Sequence, residues 1–384
     1  MVAHFAVAAL AAVVTAALSP LIALLSRRLG ALERPPDTGP DTGQVSRERA
    51  VPTMGGLAMA AGVLAALGLA WLLPTFTPLF TATSEPLALL VGVVVIVMIG
   101  ALDDLRPLPP PVKLAGQIVA ALGVVVFGVQ LVHFWVPGLE VIALSRDLGL
   151  PLTVLALVAM INAVNLIDGL DGLAAGVTTI AAVAFLVFAG HSQPGGVTSA
   201  TLVGAIVIGV SVGFLIHNWH PARLYMGDTG SQLLGLLLGV AMISFVGRTT
   251  VPSNTDFFGS IPLLVPVLVL AVPFLDSAFA VVRRVSTRQP VTAGDRGHLH
   301  HLLLAFGHSH RRAVLVLYYW SAVIAFGSVA PAFLPWERLL PWLIVAGALG
   351  LVLTALGARP RRVARGDGAA PNPVEAPAER TGAG

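Results

Sequence analysis

The sequence predicts an all-α polytopic membrane protein with about eleven transmembrane helices, its N-terminus outside and its C-terminus cytoplasmic. Three observations predict it. The 384 residues are 56% hydrophobic and only 11% charged, where a soluble domain carries about 25% charge. Apolar runs of roughly 20 residues, the length of a membrane span, recur along the chain. With the N-terminus outside, 19 of the 22 lysines and arginines fall in inner segments, leaving only Arg146, Arg248 and Arg338 outside. That bias orients membrane proteins.

The first run, residues 4–26, is too long for a signal-peptide core and has no clear cleavage site, so it reads as a retained span. Further spans are expected at 52–73, 86–103, 112–131, 150–167, 172–190, 197–217, 230–247, 258–282, 313–333 and 337–356. Pro52-Thr-Met-Gly-Gly-Leu57 opens the second, where Gly55-Gly56 suits close backbone packing. Arg47, Glu48 and Arg49 ahead of it read as solvated. Aromatic and β-branched residues around Pro137-Gly138 suggest a short outer-face β-hairpin within 132–149. Residues 1–357 form one integral membrane domain. The Ala-, Pro-, Gly- and Arg-rich stretch 358–384 is a disordered cytoplasmic tail. No internal or inverted repeat is evident, which argues against a transporter. The lack of cysteine excludes disulfides and thiolate metal sites.

Five aspartates sit at span ends, all on the inner side by this orientation. Carboxylates at the edge of hydrocarbon are costly and usually have a task. Asp103 and Asp104 end the third span. Adjacent carboxylates repel unless a cation or proton relieves them, and their bland alternative is a hydrated helix end. Lys113, the sole lysine, opens the next span and suits a phosphate as a point charge, or a plain inner-face anchor. Asn162, Asn165, Asp168 and Asp171 are spaced by three, which would put them on one helical face. Gly169 and Gly172 would loosen that helix end. An N-cap explains one of these aspartates, not the whole set.

Asp228 precedes Thr-Gly-Ser at the start of another span. The Gly230 and Ser231 amides there suit a phosphate. Asp228 suits Mg²⁺, which prefers a few carboxylates together with substrate phosphates. Asn218 and Tyr225 suit a hydrogen-bonding and stacking pair for a base. In loop 283–312, His298, His300 and His301 cluster beside Asp295 and Arg296. Three histidines can hold Zn²⁺, but with an oxygen site already offered, arginine and histidine better suit a pyrophosphate. The bland alternative is a basic loop touching anionic lipid. His308 and His310, and the outer His133, His191 and Ser192, receive no role.

Together Pro52–Gly56, Asp103-Asp104 with Lys113 and Gln117, Asn162–Gly172, Pro221–Ser231 and Asp295–His301, in this order, resemble the polyprenyl-phosphate N-acetylhexosamine-1-phosphate transferases. The Asp-Arg-Gly-His-Leu-His-His run and the eleventh span match the GlcNAc-type branch. The phospho-N-acetylmuramoyl-pentapeptide transferases, the alternative, usually carry three consecutive histidines. The resemblance implies transfer of GlcNAc-1-phosphate from UDP-GlcNAc to undecaprenyl or decaprenyl phosphate, releasing UMP, with Mg²⁺ or in its place Mn²⁺. It implies Asp103, Asp104 and Asp168 as catalytic and Asp228 as metal ligand. Asn165 would lie near the diphosphate, and Gly169, Leu170, Asp171, Asn218 and Tyr225 along the uridine. Lys113, Arg296, His298, His300 and His301 would hold phosphates and sugar. The departures are Tyr225, where phenylalanine is commoner, and Leu302, where arginine is frequent. It also implies an inner-membrane enzyme with a cytoplasmic active site and no nucleic-acid partner. Members are often homodimers, and no self-interface is legible in the sequence.

Overall fold

The computed structural model describes residues 1–33, 50–135, 141–192, 197–246 and 299–356. Helices dominate. In chain order they are α1 (Val2–Leu29), α2 (Gly56–Leu72), α3 (Thr77–Ala82), α4 (Glu85–Leu105), α5 (Pro110–Val126) and α6 (Arg146–Ile167). They continue with α7 (Leu173–Ser192), α8 (Ser199–Asn218), α9 (Gly227–Val246), α10 (Leu299–Ala305), α11 (His310–Val329) and α12 (Trp336–Ala355). Strand β1 (Leu32–Glu33) pairs antiparallel with β2 (Val51–Pro52), placing Glu33 opposite Val51. Strand β3 (His133–Trp135) pairs with β4 (Val141–Ala143).

Eight helices among the described residues are long and apolar enough to cross a membrane. α2 is a further candidate only when joined to Pro74–Ala82, across a bend of 87°. α5 is apolar but has 17 residues. The expected span 258–282 lies outside the described residues, as does the tail. The protein is a multi-pass membrane protein.

Helix ends follow local chemistry. α1 stops at Gly30, whose φ of 74° closes a left-handed cap behind Arg27 and Arg28. Thr198 and Thr201 form a reciprocal capping box that opens α8. α4 and α5 begin with prolines in the first turn, where no amide partner is lost. α9 is the axis of the bundle, buried along nearly its whole length against α2, α4, α6 and α8. Apolar contact alone gives helices no preference over lipid, so close approach of small residues must hold them together. Gly209 and Gly213 of α8 accordingly rest on the backbone of Ala8 and Ala12 in α1, and Gly235 of α9 rests on Ile161 of α6.

Candidate active site

Four helix ends meet at one end of the bundle: the last turn of α4, the first turns of α5 and α9, and the chain leaving α6. Asp104 is held by backbone. Its Oδ1 accepts the Asp228 amide at 2.8 Å, and its Oδ2 accepts the Thr229 hydroxyl at 2.6 Å and the Thr229 amide at 3.3 Å. The carboxylate thus satisfies orphan amides at the positive end of α9. The Gly230 amide, which with that of Ser231 is expected from sequence to suit a phosphate, is engaged as well. Asp104 takes the amides of Asp228 and Thr229, and that of Gly230 donates to Met226 O at 3.2 Å.

Glycine makes the approach feasible. Gly227 has a φ of 67°, and a Cβ on it would strike both Asp104 oxygens and Thr53 Oγ1. The segment Pro52–Gly56 clamps this corner. Tyr225 N donates to Pro52 O at 2.8 Å, and Gly55 N and Gly56 N donate to Tyr225 O and Met226 O, each at 2.9 Å. Buried Met54, at φ 72°, adopts a left-handed conformation that costs a non-glycine residue energy. The surrounding ladder over-determines it.

Asp103 accepts the Leu108 amide at 2.7 Å and pairs with Lys113 at 2.7 Å. Lys113 also pairs with Asp228, so one ammonium relieves two neighbouring carboxylates. The other Asp228 oxygen accepts Asn165 Nδ2, which also donates to Ser231 Oγ at 2.8 Å. Asn162 instead donates to Gln117 at 2.7 Å, within a buried amide cluster that includes Gln232.

The sequence expects one helical face from Asn162 to Asp171, and the structure does not keep it. α6 ends at Ile167, and Asp168 follows at φ −77°, ψ 56°, outside helical geometry. Gly172, at φ 78°, turns the chain again. Asp171 is thereby aimed at the neighbouring loop, where it accepts His220 Nδ1 at 2.7 Å and the Ala222 amide at 3.0 Å. His220 in turn stacks on His310, ring centroids 4.0 Å apart. Asn218 is spent on the pocket wall: it accepts from Gly172 N at 2.9 Å and donates to Leu224 O at 3.0 Å.

These residues enclose a cavity of about 430 Å³ lined by Glu33, Asp104, Asn165, Asp168, Gly169, Leu170, Asp171, Asn218, Tyr225, Gly227 and Asp228. Nine of the residues expected from sequence therefore share one wall. Asp103 and Lys113 do not line it, and reach the site through Asp228. Arg296 and His298 lie outside the described residues. His300 and His301 fall in α10, their side chains outside what is described.

Glu33 is, with Gly227, a lining residue that the sequence did not single out. It is one of two residues in a minimal strand, and its partner Val51 lies 18 positions further along the sequence. Nothing in Leu-Glu-Arg-Pro marks it. Burial, then the charge of Asp228, pushes its carboxyl above the ordinary range. Asp168 is held well above that range by burial and by repulsion from Glu33, Asp228, Asp104 and Asp171. Carboxylate oxygens with an amide oxygen suit a hard divalent cation rather than zinc.

A raised Asp168 pKa has a definite sign. The stability it contributes is present below the unfolded value of about 3.9 and is lost as pH rises through the folded value. Asp168→Asn removes that loss. With divalent cations chelated, the variant should unfold at higher temperature than wild type at neutral and alkaline pH, the gap closing toward acid. A gap independent of pH would refute this.

The family model for "Glycosyl transferase family 4" matches residues 86–246, which carry Asp103 through Asp228. A Mycobacterium leprae protein, "Decaprenyl-phosphate N-acetylglucosaminephosphotransferase", is 38% identical over 338 residues, 84% of this chain and 82% of that protein. A Bacillus subtilis protein, "Probable undecaprenyl-phosphate N-acetylglucosaminyl 1-phosphate transferase", is 34% identical over 78% of this chain and 77% of its own length. A "Phospho-N-acetylmuramoyl-pentapeptide-transferase" of Anoxybacillus flavithermus is 31% identical over 59% of this chain and 71% of its own length. Identity at this level across most of both chains, together with carboxylates of the matched region gathered on one cavity, shows that the chain belongs to glycosyl transferase family 4.

Proposed function

We propose that the protein transfers GlcNAc-1-phosphate from UDP-GlcNAc to a polyprenyl phosphate, releasing UMP and forming the first lipid-linked intermediate of a cell-envelope polysaccharide. One observation carries this reading. Asp228 stands between a nucleotide-sized cavity and the Lys113–Asp103 pair. A two-substrate phosphoryl transfer needs such a station, with the donor diphosphate on one side and the acceptor phosphate on the other. The relatives' names supply the polyprenyl phosphate and the transferred N-acetylglucosamine phosphate.

In the reaction an oxygen of the lipid phosphate bonds to the β-phosphorus of the donor. The bond from that phosphorus to the bridging oxygen breaks, and UMP leaves with the electron pair. Phosphoryl transfer asks the protein mainly for position and charge balance. Lys113 would steer the lipid phosphate toward Asp228, and Asp103 would orient Lys113 and accept any proton the phosphate still carries. Asp171 and Tyr225 would hold the uridine end, with Asn218 bracing that wall, and Asn165 would hold the diphosphate. Asp228, Asp168 and Glu33 would hold Mg²⁺, which neutralises phosphate charge when bound. Asp104 we assign to positioning, because its oxygens anchor α9. In this reading the N-terminus is outside, eleven helices span the inner membrane, and the site opens to the cytoplasm.

Purified protein should release UMP from UDP-GlcNAc and polyprenyl phosphate in the presence of Mg²⁺. Turnover only with UDP-N-acetylmuramoyl-pentapeptide would overturn the choice of sugar. Glu33→Gln should keep the fold but raise the Mg²⁺ concentration needed for half-maximal rate by about tenfold, as expected when a ligating charge is removed. An unchanged Mg²⁺ requirement would remove Glu33 from the site.

A further inference from the structure

A second cavity, about 620 Å³, lies at the same end of the bundle, within the roughly 300–1,000 Å³ of small-ligand clefts. Pro20, Ala23 and Leu24 of α1 form an apolar wall, and Arg27 and Arg223 bring two guanidiniums to it. Neither arginine pairs with a carboxylate among the described residues. α1 has 28 residues, about 42 Å of helix, against a hydrocarbon core of about 30 Å. Its last turn, with Arg27, therefore stands at headgroup depth. Leu21, Leu24 and Leu25 beside it are exposed on the outer face of the helix. An apolar approach ending in two arginines that have no carboxylate partner among the described residues matches one ligand chemistry, a phosphate head on a hydrocarbon tail.

The two cavities share no lining residue, but they share a wall. Glu33 faces the first while its strand partner Val51 lines the second. Ala222, Leu224 and Pro52 line the second. Their backbones hold Asp171 at 3.0 Å, Asn218 at 3.0 Å and the amide of Tyr225 at 2.8 Å, three residues of the first. Arg223 itself lies between these anchors. A headgroup drawn onto it would fix the wall that positions the nucleotide pocket.

We propose that this cavity binds an anionic glycerophospholipid by its phosphate and that occupancy tightens the nucleotide-sugar site. The reacting polyprenyl phosphate is a poorer occupant, because the shared wall separates the cavity from Asp228. The kinetic half of the proposal rests on the transferase reading; the binding half does not.

The test uses the full chain in nanodiscs of phosphatidylcholine with and without phosphatidylglycerol. For wild type, phosphatidylglycerol should lower KM for UDP-GlcNAc by about fivefold, a typical coupling, with kcat little changed. Arg27→Ala/Arg223→Ala should keep its activity in phosphatidylcholine but lose that response, and Arg27→Lys/Arg223→Lys should largely restore it. Mass spectrometry of purified protein should show retained phosphatidylglycerol in wild type and the Lys variant but not in the Ala variant. An unaltered response and retention in the Ala variant would overturn the site. So would displacement of the retained lipid by polyprenyl phosphate, which would make the cavity a carrier site. If no preparation released UMP, retention alone would still decide whether the lipid binds here.

Discussion

Asp228→Asn should lower UMP release by about 10³-fold, the scale at which loss of one preorganised electrostatic partner is felt, while the protein still folds. Asp228 is the only described residue that touches both halves of the site. One of its oxygens meets Lys113, and the other meets Asn165. An asparagine there has one acceptor and one donor for two donors, so one contact is lost whichever way the amide turns. Lys113 keeps Asp103 as a partner, so no charge is stranded and the fold survives. Asp104→Asn should behave differently. Its carboxylate takes three hydrogen bonds from the start of α9, so the variant should lose stability along with activity. The check is UMP release together with thermal unfolding for both variants. Retention of a tenth of wild-type activity by Asp228→Asn would sink the central role assigned to this carboxylate.

The lining of the candidate site was largely legible because polar residues at the ends of apolar spans stand out, and a carboxylate there is expensive enough to demand a reason. Asp168, Asp171 and Asp228 are visible on that ground, as are Asn165 and Lys113. What each carboxylate does was less legible, because it depends on the partner that folding supplies. Asp103 and Asp104 are adjacent in sequence and read as one feature. One turns to a lysine, and the other caps a helix that begins 123 residues later, at Gly227. The three-residue spacing after Asn162 misleads because Gly169 and Gly172 release the chain from helical geometry. Glu33 was invisible because its place comes from a two-residue strand pairing, too short to leave a period in the sequence. Eight of the eleven expected spans were legible from hydropathy, whereas the bend after Leu72 and the brevity of α5 reflect packing that hydropathy does not register.

Gly100→Val should be among the most damaging substitutions outside the carboxylates. Gly100 and Asp104 lie one turn apart on the face of α4 that meets α9. A Cβ on Gly100 would run into the Thr229 backbone and reach the Asp228 carbonyl carbon. Those atoms cannot rotate aside, because Gly56 of α2 presses on the Thr229–Gly230 backbone from another helix. The first turn of α9 would have to move as a unit. It would pull the Asp228 and Thr229 amides from Asp104, and the Asp228 carboxylate from Lys113. Overpacking of this kind costs about 1–3 kcal/mol, and the lost cap adds about 1 kcal/mol. Activity should fall at least 10²-fold, since a displacement of about 1 Å at reacting groups has that effect. Gly92→Val on the same helix is the informative control. A Cβ there would crowd the side chains of Val124 and Leu236, which can shift, and would meet the Ala120 carbonyl oxygen only at an ordinary 3.9 Å. It should be milder in both unfolding temperature and rate, and Gly68→Ala, with nothing within 4 Å, should be nearly silent. If Gly100→Val and Gly92→Val proved equally mild, the first turn of α9 would be free to adjust. Its tight seating would then not be what holds Asp228 in place.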